Sequence, residues 1–449
     1  MRHRRMPGLV AAVAGVSALG LGGVTAIAGG ATVASGEAAG LPAPAPFAIR
    51  IGSIPSSKPP TIAQCEASFG VPCYGPPQLQ TAYDMTSLYT AGDEGQGETI
   101  VLVDAYGSST IKSDLAAFDK GFGLPAPPSF KIIQPAGKVT GTNSDWAEET
   151  SLDVEYSHAM APEANILLAE TPVNETIGTA GFPQIVKAEE YVIKHHLGDV
   201  ISQSFGAAEE TFPNAASIMN LRGAYTLAAK DDVTVLASSG DAGASSPSNV
   251  ADTTYFTTPV VNWPASDPLV TAVGGTQIHL NQAGARTAPD NVWNDTALLG
   301  EPAAGSGGVS SVFSQPSYQS SVSSVVGSWR GVPDVALSAA VDGAAIIYFE
   351  GSYTIVGGTS EASPLFAGIV AIADQVAGHS LGQLNPALYA LGSGGPGLPD
   401  ITSGNNTVSF TQGGKSYTVK GYTAGPGYDL ASGLGTVDGA NLVAELAGA

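Results

Sequence analysis

Four short runs of the chain are apolar almost from end to end and stop in a loop of small residues. They are ETIVLVDAYG (98–107), NILLAE (165–170), DVISQSFG (199–206) and VTVLASSGDAGA (233–244). A strand with one face in water alternates apolar and polar residues, so an unbroken β-branched run needs cover on both faces. Helical patterns fill the intervals, as in FPQIVKAEEYVIKHH (182–196) and ASIMNLRGAYTLAAK (216–230). Strands that alternate with helices form parallel sheets, because each crossover carries a helix over a sheet face. The predicted fold class is therefore α/β, in three layers, with a mostly parallel central sheet flanked by helices. Reacting groups in such sheets collect beyond the carboxyl ends of the strands. Asp104, Ser204 and Asp241 would then share one edge.

A second feature is VGGTSEASP (356–364), followed by the apolar run LFAGIVAIA. It reads as a loop entering a buried helix, with Ser360 presented in a cleft beside helix N–H groups. A serine hydroxyl is a poor nucleophile until a base takes its proton. The chain has six histidines, and none sits in a His-Gly-Thr/Ser setting that would supply that base. Carboxylates offer another source. In DWAEETSLDVEYSHAMAP (145–162), read as a helix, Leu152, Tyr156 and Ala159 form an apolar stripe. Glu149 and Asp153 are four residues apart, so they neighbour each other on one face. A solvated acidic face that includes Glu148 and Glu155 fits the same spacing, and both readings stay open at this point.

Composition narrows the function. With 39 Asp and Glu against 17 Lys and Arg, the net charge is −22. Nucleic acid and anionic membrane surfaces need a basic patch and are not expected partners. A basic N-terminal cluster leads into an uncharged Ala/Gly/Val/Leu stretch, the pattern of a secretory signal with small-residue cleavage options after Ala28 or near Ala34. The uncharged stretch, from Met6 to Gly36, is long enough that a retained anchor is the competing reading. Cys65 and Cys73 are the only cysteines, and in an exported chain they read as one local disulfide. The expected organisation is a signal at 1–35, a short leader at 36–73 containing that staple, and one catalytic domain at 74–449. Nothing in the sequence calls for an oligomer.

Taken together and in order, the LDVE helix with its preceding Glu, SGDAG, NWPASDPLVTAVGGT (262–276), GGTSEASP and QLNPALYAL (383–391) resemble the sedolisins. These are serine-carboxyl peptidases with the subtilisin fold, and the resemblance runs from about Tyr74 to the C-terminus. It implies Ser360 as nucleophile, Glu149 as its base, Asp153 as the acid that tunes Glu149, and Asp241 as a group lining the oxyanion hole. A lone carboxylate, with a pKa of about 4.3, is a weak base. Two carboxyls in contact share a proton and spread their apparent pKa values, so an acidic optimum is expected. The implied substrates are polypeptides, and the implied location is extracellular. A peptidase-like protein that binds peptide without cutting it is the rival.

The resemblance also implies one calcium ion in the tail, where Asp400-Ile401 precedes Gly425-Pro-Gly427-Tyr-Asp429. Asp400 and Asp429 would bind through carboxylates, and Ile401, Gly425 and Gly427 through carbonyls. By spacing alone a Gly-rich turn with solvated acids is the simpler reading. Asp104 is expected to be structural, His158 to be packed, and Ser204 with Gly206 to line the substrate wall. Two features depart from the pattern: a short leader, and Glu361 beside the nucleophile, where an added carboxylate could raise the local acid requirement or disturb the rim.

Overall fold

The computed structural model describes residues 47–174, 180–249 and 254–448. The signal expected at 1–35, and the leader as far as residue 46, lie outside them. Among the described residues no helix is long and apolar enough to cross a membrane.

The architecture is α/β, with an eight-stranded central sheet. Thr99–Ala105 lies near its middle, paired in parallel with Asn165–Thr171 on one side and Val200–Gln203 on the other. Phe130–Ile133 continues the sheet beyond Asn165–Thr171. Thr234–Ser238, Thr271–Gln277 and Val335–Ser338 extend it in parallel beyond Val200–Gln203. Only Asn291–Val292 pairs antiparallel within it.

The unbroken apolar runs explain the three layers. Ile100, Leu102, Ile166 and Leu168 join one buried cluster with the helices Ser144–Met160 and Thr359–Ala377. The alternate residues Val101, Val103, Leu167 and Ala169 join another with the helices Phe182–Lys194 and Gly223–Lys230. Each strand thus buries both of its faces, as the period of two requires when both are covered. The helix expected over 216–230 is broken into Ala215–Met219 and Gly223–Lys230. The break falls at Arg222, whose guanidinium binds Asp267 at 2.6 and 2.9 Å.

A smaller four-stranded sheet covers one side. In it Ile49–Ile54 pairs antiparallel with Ser352–Gly357, which pairs in turn with Ala344–Phe349. Cys73–Tyr74 completes the sheet, and Cys73 is disulfide-bonded to Cys65 with a Cα–Cα distance of 5.8 Å. The segment expected as a leader therefore contributes the strand Ile49–Ile54 and the first residue of Cys73–Tyr74 to the folded body.

Candidate active site

The strand Ser352–Gly357 runs into Gly358, and the helix Thr359–Ala377 begins at once. Gly358 has φ +137°, a conformation that L side chains rarely adopt. A Cβ there would also meet the Asp241 Oδ2 at 2.4 Å. The helix is buried from Thr359 to Asp374, so Ser360 opens a helix that crosses the interior. Gly368 lets it approach the helix Ser144–Met160 closely, since a Cβ at 368 would lie 2.5 Å from the Met160 Cβ.

That second helix starts at Asn143, whose side chain caps the N–H groups of Asp145 and Trp146. It was expected to show one apolar stripe. Instead Glu148 through Met160 are all buried, Glu148 and Glu155 included, so the solvated-face reading falls. Glu155 accepts a hydrogen bond from the Tyr348 N–H at 2.8 Å. His158 packs as expected, with Nε2 2.8 Å from the Pro125 carbonyl.

Glu149, Asp153 and Ser360 have no exposed surface. Burial drives the Glu149 carboxyl well above the ordinary glutamate range; the Ser360 hydroxyl opposes that rise, and the charges of Asp104 and Asp241 add to it. The Ser360 hydroxyl also lies 3.4 Å from the Ser204 carbonyl. Asp153 is raised by burial first, then by the charges of Asp104 and Glu149. Its Oδ1 accepts the Ser204 hydroxyl at 2.7 Å.

Asp104, expected to be structural at the sheet edge, lies beside the candidate site. It ends the strand Thr99–Ala105 with its carboxyl against that of Asp153. Burial lifts it to about 7, with Asp153 and Thr150 easing the shift. Two carboxyls can share a hydrogen bond only when one carries a proton. The result is a buried sequence of groups: Asp104, Asp153, Glu149, Ser360. The signal for Asp104 was present as an acid closing an otherwise apolar central strand.

Asp241 holds the residue before the nucleophile. Its Oδ1 accepts the Thr359 N–H at 2.8 Å and the Thr359 hydroxyl at 2.7 Å. Its Oδ2 is buried without a hydrogen-bond partner, and burial lifts the group to about 8. A carboxyl held by one oxygen leaves the other able to carry a proton and donate.

Glu361 does not reach the rim. It is fully buried on the opposite side, toward Ser338 and Ala345, and burial raises it to about 8. The expectation of a perturbed rim is corrected: on a helix the next residue points roughly 100° away from Ser360.

In the tail, Asp400 Oδ2 accepts the Gly427 N–H at 2.8 Å, and Asp429 Oδ2 accepts the Gly425 N–H at 3.1 Å. Asp429 Oδ1 also takes the Ala431 and Ser432 N–H groups. Asp400 Oδ1 is left buried without a partner. Among the described residues no cluster of three or more His, Cys, Asp or Glu stands ready for a metal. The expected set holds two carboxylates and three carbonyls, so the orphaned oxygen beside a loop of glycines fits a hard cation.

The profile of the Subtilase family matches residues 134–387. Kumamolisin from Bacillus sp. (strain MN-32) is 34% identical over 384 residues, which cover 82% of this chain and 64% of that protein. Sedolisin from Pseudomonas sp. (strain 101) is 32% identical over 382 residues, covering 83% and 61%. The chain thus spans a little under two thirds of the length of these relatives. A solved structure of Pseudomonas sedolisin, a serine-carboxyl proteinase complexed with pseudo-iodotyrostatin, superposes with a TM-score of 0.69 at 28% identity, over 83% of this chain and 98% of that one.

Proposed function

The chain belongs to the subtilase family, in its sedolisin branch, and on that premise we propose that it is a secreted endopeptidase acting in acid through Ser360, Glu149 and Asp153. Ser360 attacks the peptide carbonyl, and Glu149 takes the serine proton and later delivers it to the leaving amine. Asp153, protonated, shares its proton with Glu149, and Asp104 extends that sharing one residue deeper. Asp241 and the Ser360 N–H donate to the oxyanion that forms on attack. The acyl-enzyme is then released by water by the same route in reverse.

One observation carries the reading most directly. Two helices pack closely, burying Ser360, Glu149 and Asp153 without exposed surface, while a third acid, Asp241, holds the adjacent Thr359. Carboxyls so crowded cannot all ionise, and a negative charge confined to Glu149 makes that group the base. The same arrangement supports a direction for the pH dependence. Asp104 at about 7 and Asp241 at about 8 must keep their protons, so activity falls as pH rises through that range.

Calcium belongs to the proposal as a structural ion held by Asp400, Asp429 and the carbonyls of Ile401, Gly425 and Gly427. It would supply charge neutralisation that ties the tail to the body.

Hydrolysis of a denatured protein from about pH 2 to 8, compared with Ser360→Ala, tests the assignment. Cleavage confined to acid and lost in the variant is expected. A folded sample without activity at any pH would favour a peptide-binding protein that does not cut.

A further inference from the structure

The strand Thr234–Ser238 stops short of Asp241, so the central sheet does not fix where that acid points. The backbone around it is held instead from the C-terminal tail. The chain continues Ala242-Gly243-Ala244, and the Ala244 N–H donates to the Asn406 carbonyl at 2.9 Å. Gly243 has φ +60°, and a Cβ there would stand 2.5 Å from the Asn406 carbonyl oxygen and 2.6 Å from the Val408 Cγ1. Only a glycine lets the two segments approach so closely. On the other side of Asp241, the Gly240 carbonyl accepts the Ser306 N–H at 2.8 Å. Gly307, next in the chain, accepts from the Asn406 Nδ2 at 3.4 Å. Both flanks of Asp241 therefore lead to one residue.

Asn406 is itself firmly set. It is fully buried, and its Oδ1 accepts the Tyr422 N–H at 2.7 Å. Asn294 grips the chain on each side of it, donating from Nδ2 to the Asn405 and Thr407 carbonyls at 2.9 and 2.8 Å. Beyond Asn406 the hairpin of Val408–Gln412 and Lys415–Val419 packs Val408, Phe410 and Val419 against Ala244 and Ala304. At its far end Gln412 accepts the Tyr255 N–H at 2.8 Å and donates to the Tyr255 carbonyl at 3.1 Å. The tail thus forms a brace along the segment that follows Asp241. A donor for a developing oxyanion is effective only if its place is set before the charge forms.

We propose that Asn406 is a positioning residue for the reaction: it fixes the backbone at 240–244 so that the free oxygen of Asp241 meets the oxyanion. The inference rests on the peptidase reading above and on the part Asp241 plays in it. Asn406 touches neither the nucleophile nor its base. Its loss should leave substrate binding intact and weaken an interaction made only in the transition state.

The test is a double-mutant cycle on hydrolysis of a peptide substrate in acid, with thermal melts to establish that each variant is folded. Asn406→Ala should lower kcat roughly tenfold or more and leave KM within about twofold, because a small displacement of a donor is enough. In an Asp241→Ala background the same substitution should change kcat by less than about twofold. A merely structural residue would lower kcat by the same factor in both backgrounds. If Asn406→Ala does not fold, Asn294→Ala, at a half-buried position, loosens the same turn and should give a smaller loss of kcat that also vanishes without Asp241. Equal losses in the two backgrounds, an unchanged kcat, or an effect confined to KM would overturn the inference and leave the peptidase reading standing. If the unaltered protein cuts no peptide in acid, both fall together.

Discussion

Glu361→Gln should stabilise the protein at neutral pH and leave it nearly unchanged in acid. Glu361 is fully buried, and burial moves its carboxyl from 4.5 to about 8, eased by the Ser338 hydroxyl and the Ala345 N–H. Because the folded value lies above the unfolded one, its contribution is fully present below 4.5 and is lost as pH rises toward 8. At roughly 1.4 kcal/mol per pH unit, the loss between 4.5 and neutrality is about 3 kcal/mol. Glutamine has the same shape and cannot ionise, and its side chain keeps an oxygen that can accept from the Ser338 hydroxyl. Both proteins should carry Ser360→Ala, so that self-digestion does not intrude. Urea unfolding of the pair would then show nearly equal stabilities at pH about 4.5, and an advantage of about 3 kcal/mol for Gln near pH 7. The other buried acids are common to both proteins and cancel in the difference. A gap of the same size at both pH values would refute the reasoning, since a packing effect does not titrate.

Three further outcomes follow from the same geometry. Asp241→Asn keeps an oxygen for the two Thr359 donors and places an amide where a protonated acid is needed, so the fall set by Asp104 near 7 should stay while the steepening above about 8 is lost; a limb as steep as before would remove Asp241 from the titration. Chelation of the calcium-loaded protein should lower its melting temperature by several degrees, and Asp400→Ala should abolish that response; a melt insensitive to chelator would dismiss the tail site. Replacing Cys65 and Cys73 by serine opens a loop with a sequence separation of 8, and should cost about 2 kcal/mol in equilibrium unfolding.

How far the sequence could be read depended on whether a relation was local. The apolar runs announced strands buried on both faces, and their alternate residues do enter two separate clusters. The Glu149–Asp153 pair was legible because helical spacing makes neighbours of residues four apart. The role of Asp104 was harder to see. It meets Asp153 only because the strand Thr99–Ala105 ends beneath the helix Ser144–Met160, a matter of register rather than spacing. Glu361 was misjudged because adjacency in sequence suggested adjacency in the site, whereas a helix turns consecutive side chains apart. Asn406 could not be found at all from local pattern. Its carbonyl meets the Ala244 N–H only because the tail folds back across the segment that follows Asp241.

Burial is the common cause of these properties. An imidazole, with a pKa near about 6.5, is already protonated in acid and cannot accept a serine proton there. Carboxyls are ordinarily too weak as bases, but a dry site raises them, and crowding separates a proton-bearing member from an ionised one. The desolvation that lifts Glu149 and Asp153 also lifts Glu155, Glu189 and Asp374, away from the nucleophile. All of these shifts have the same sign, so each buried acid favours the folded state below its ordinary pKa and penalises it toward neutrality. On the proposed reading, Asp104 and Asp241 keep the protons they need in the same range in which the fold is most stable. Moving the enzyme toward neutral conditions would require relieving acids in the core as well as retuning those at Ser360.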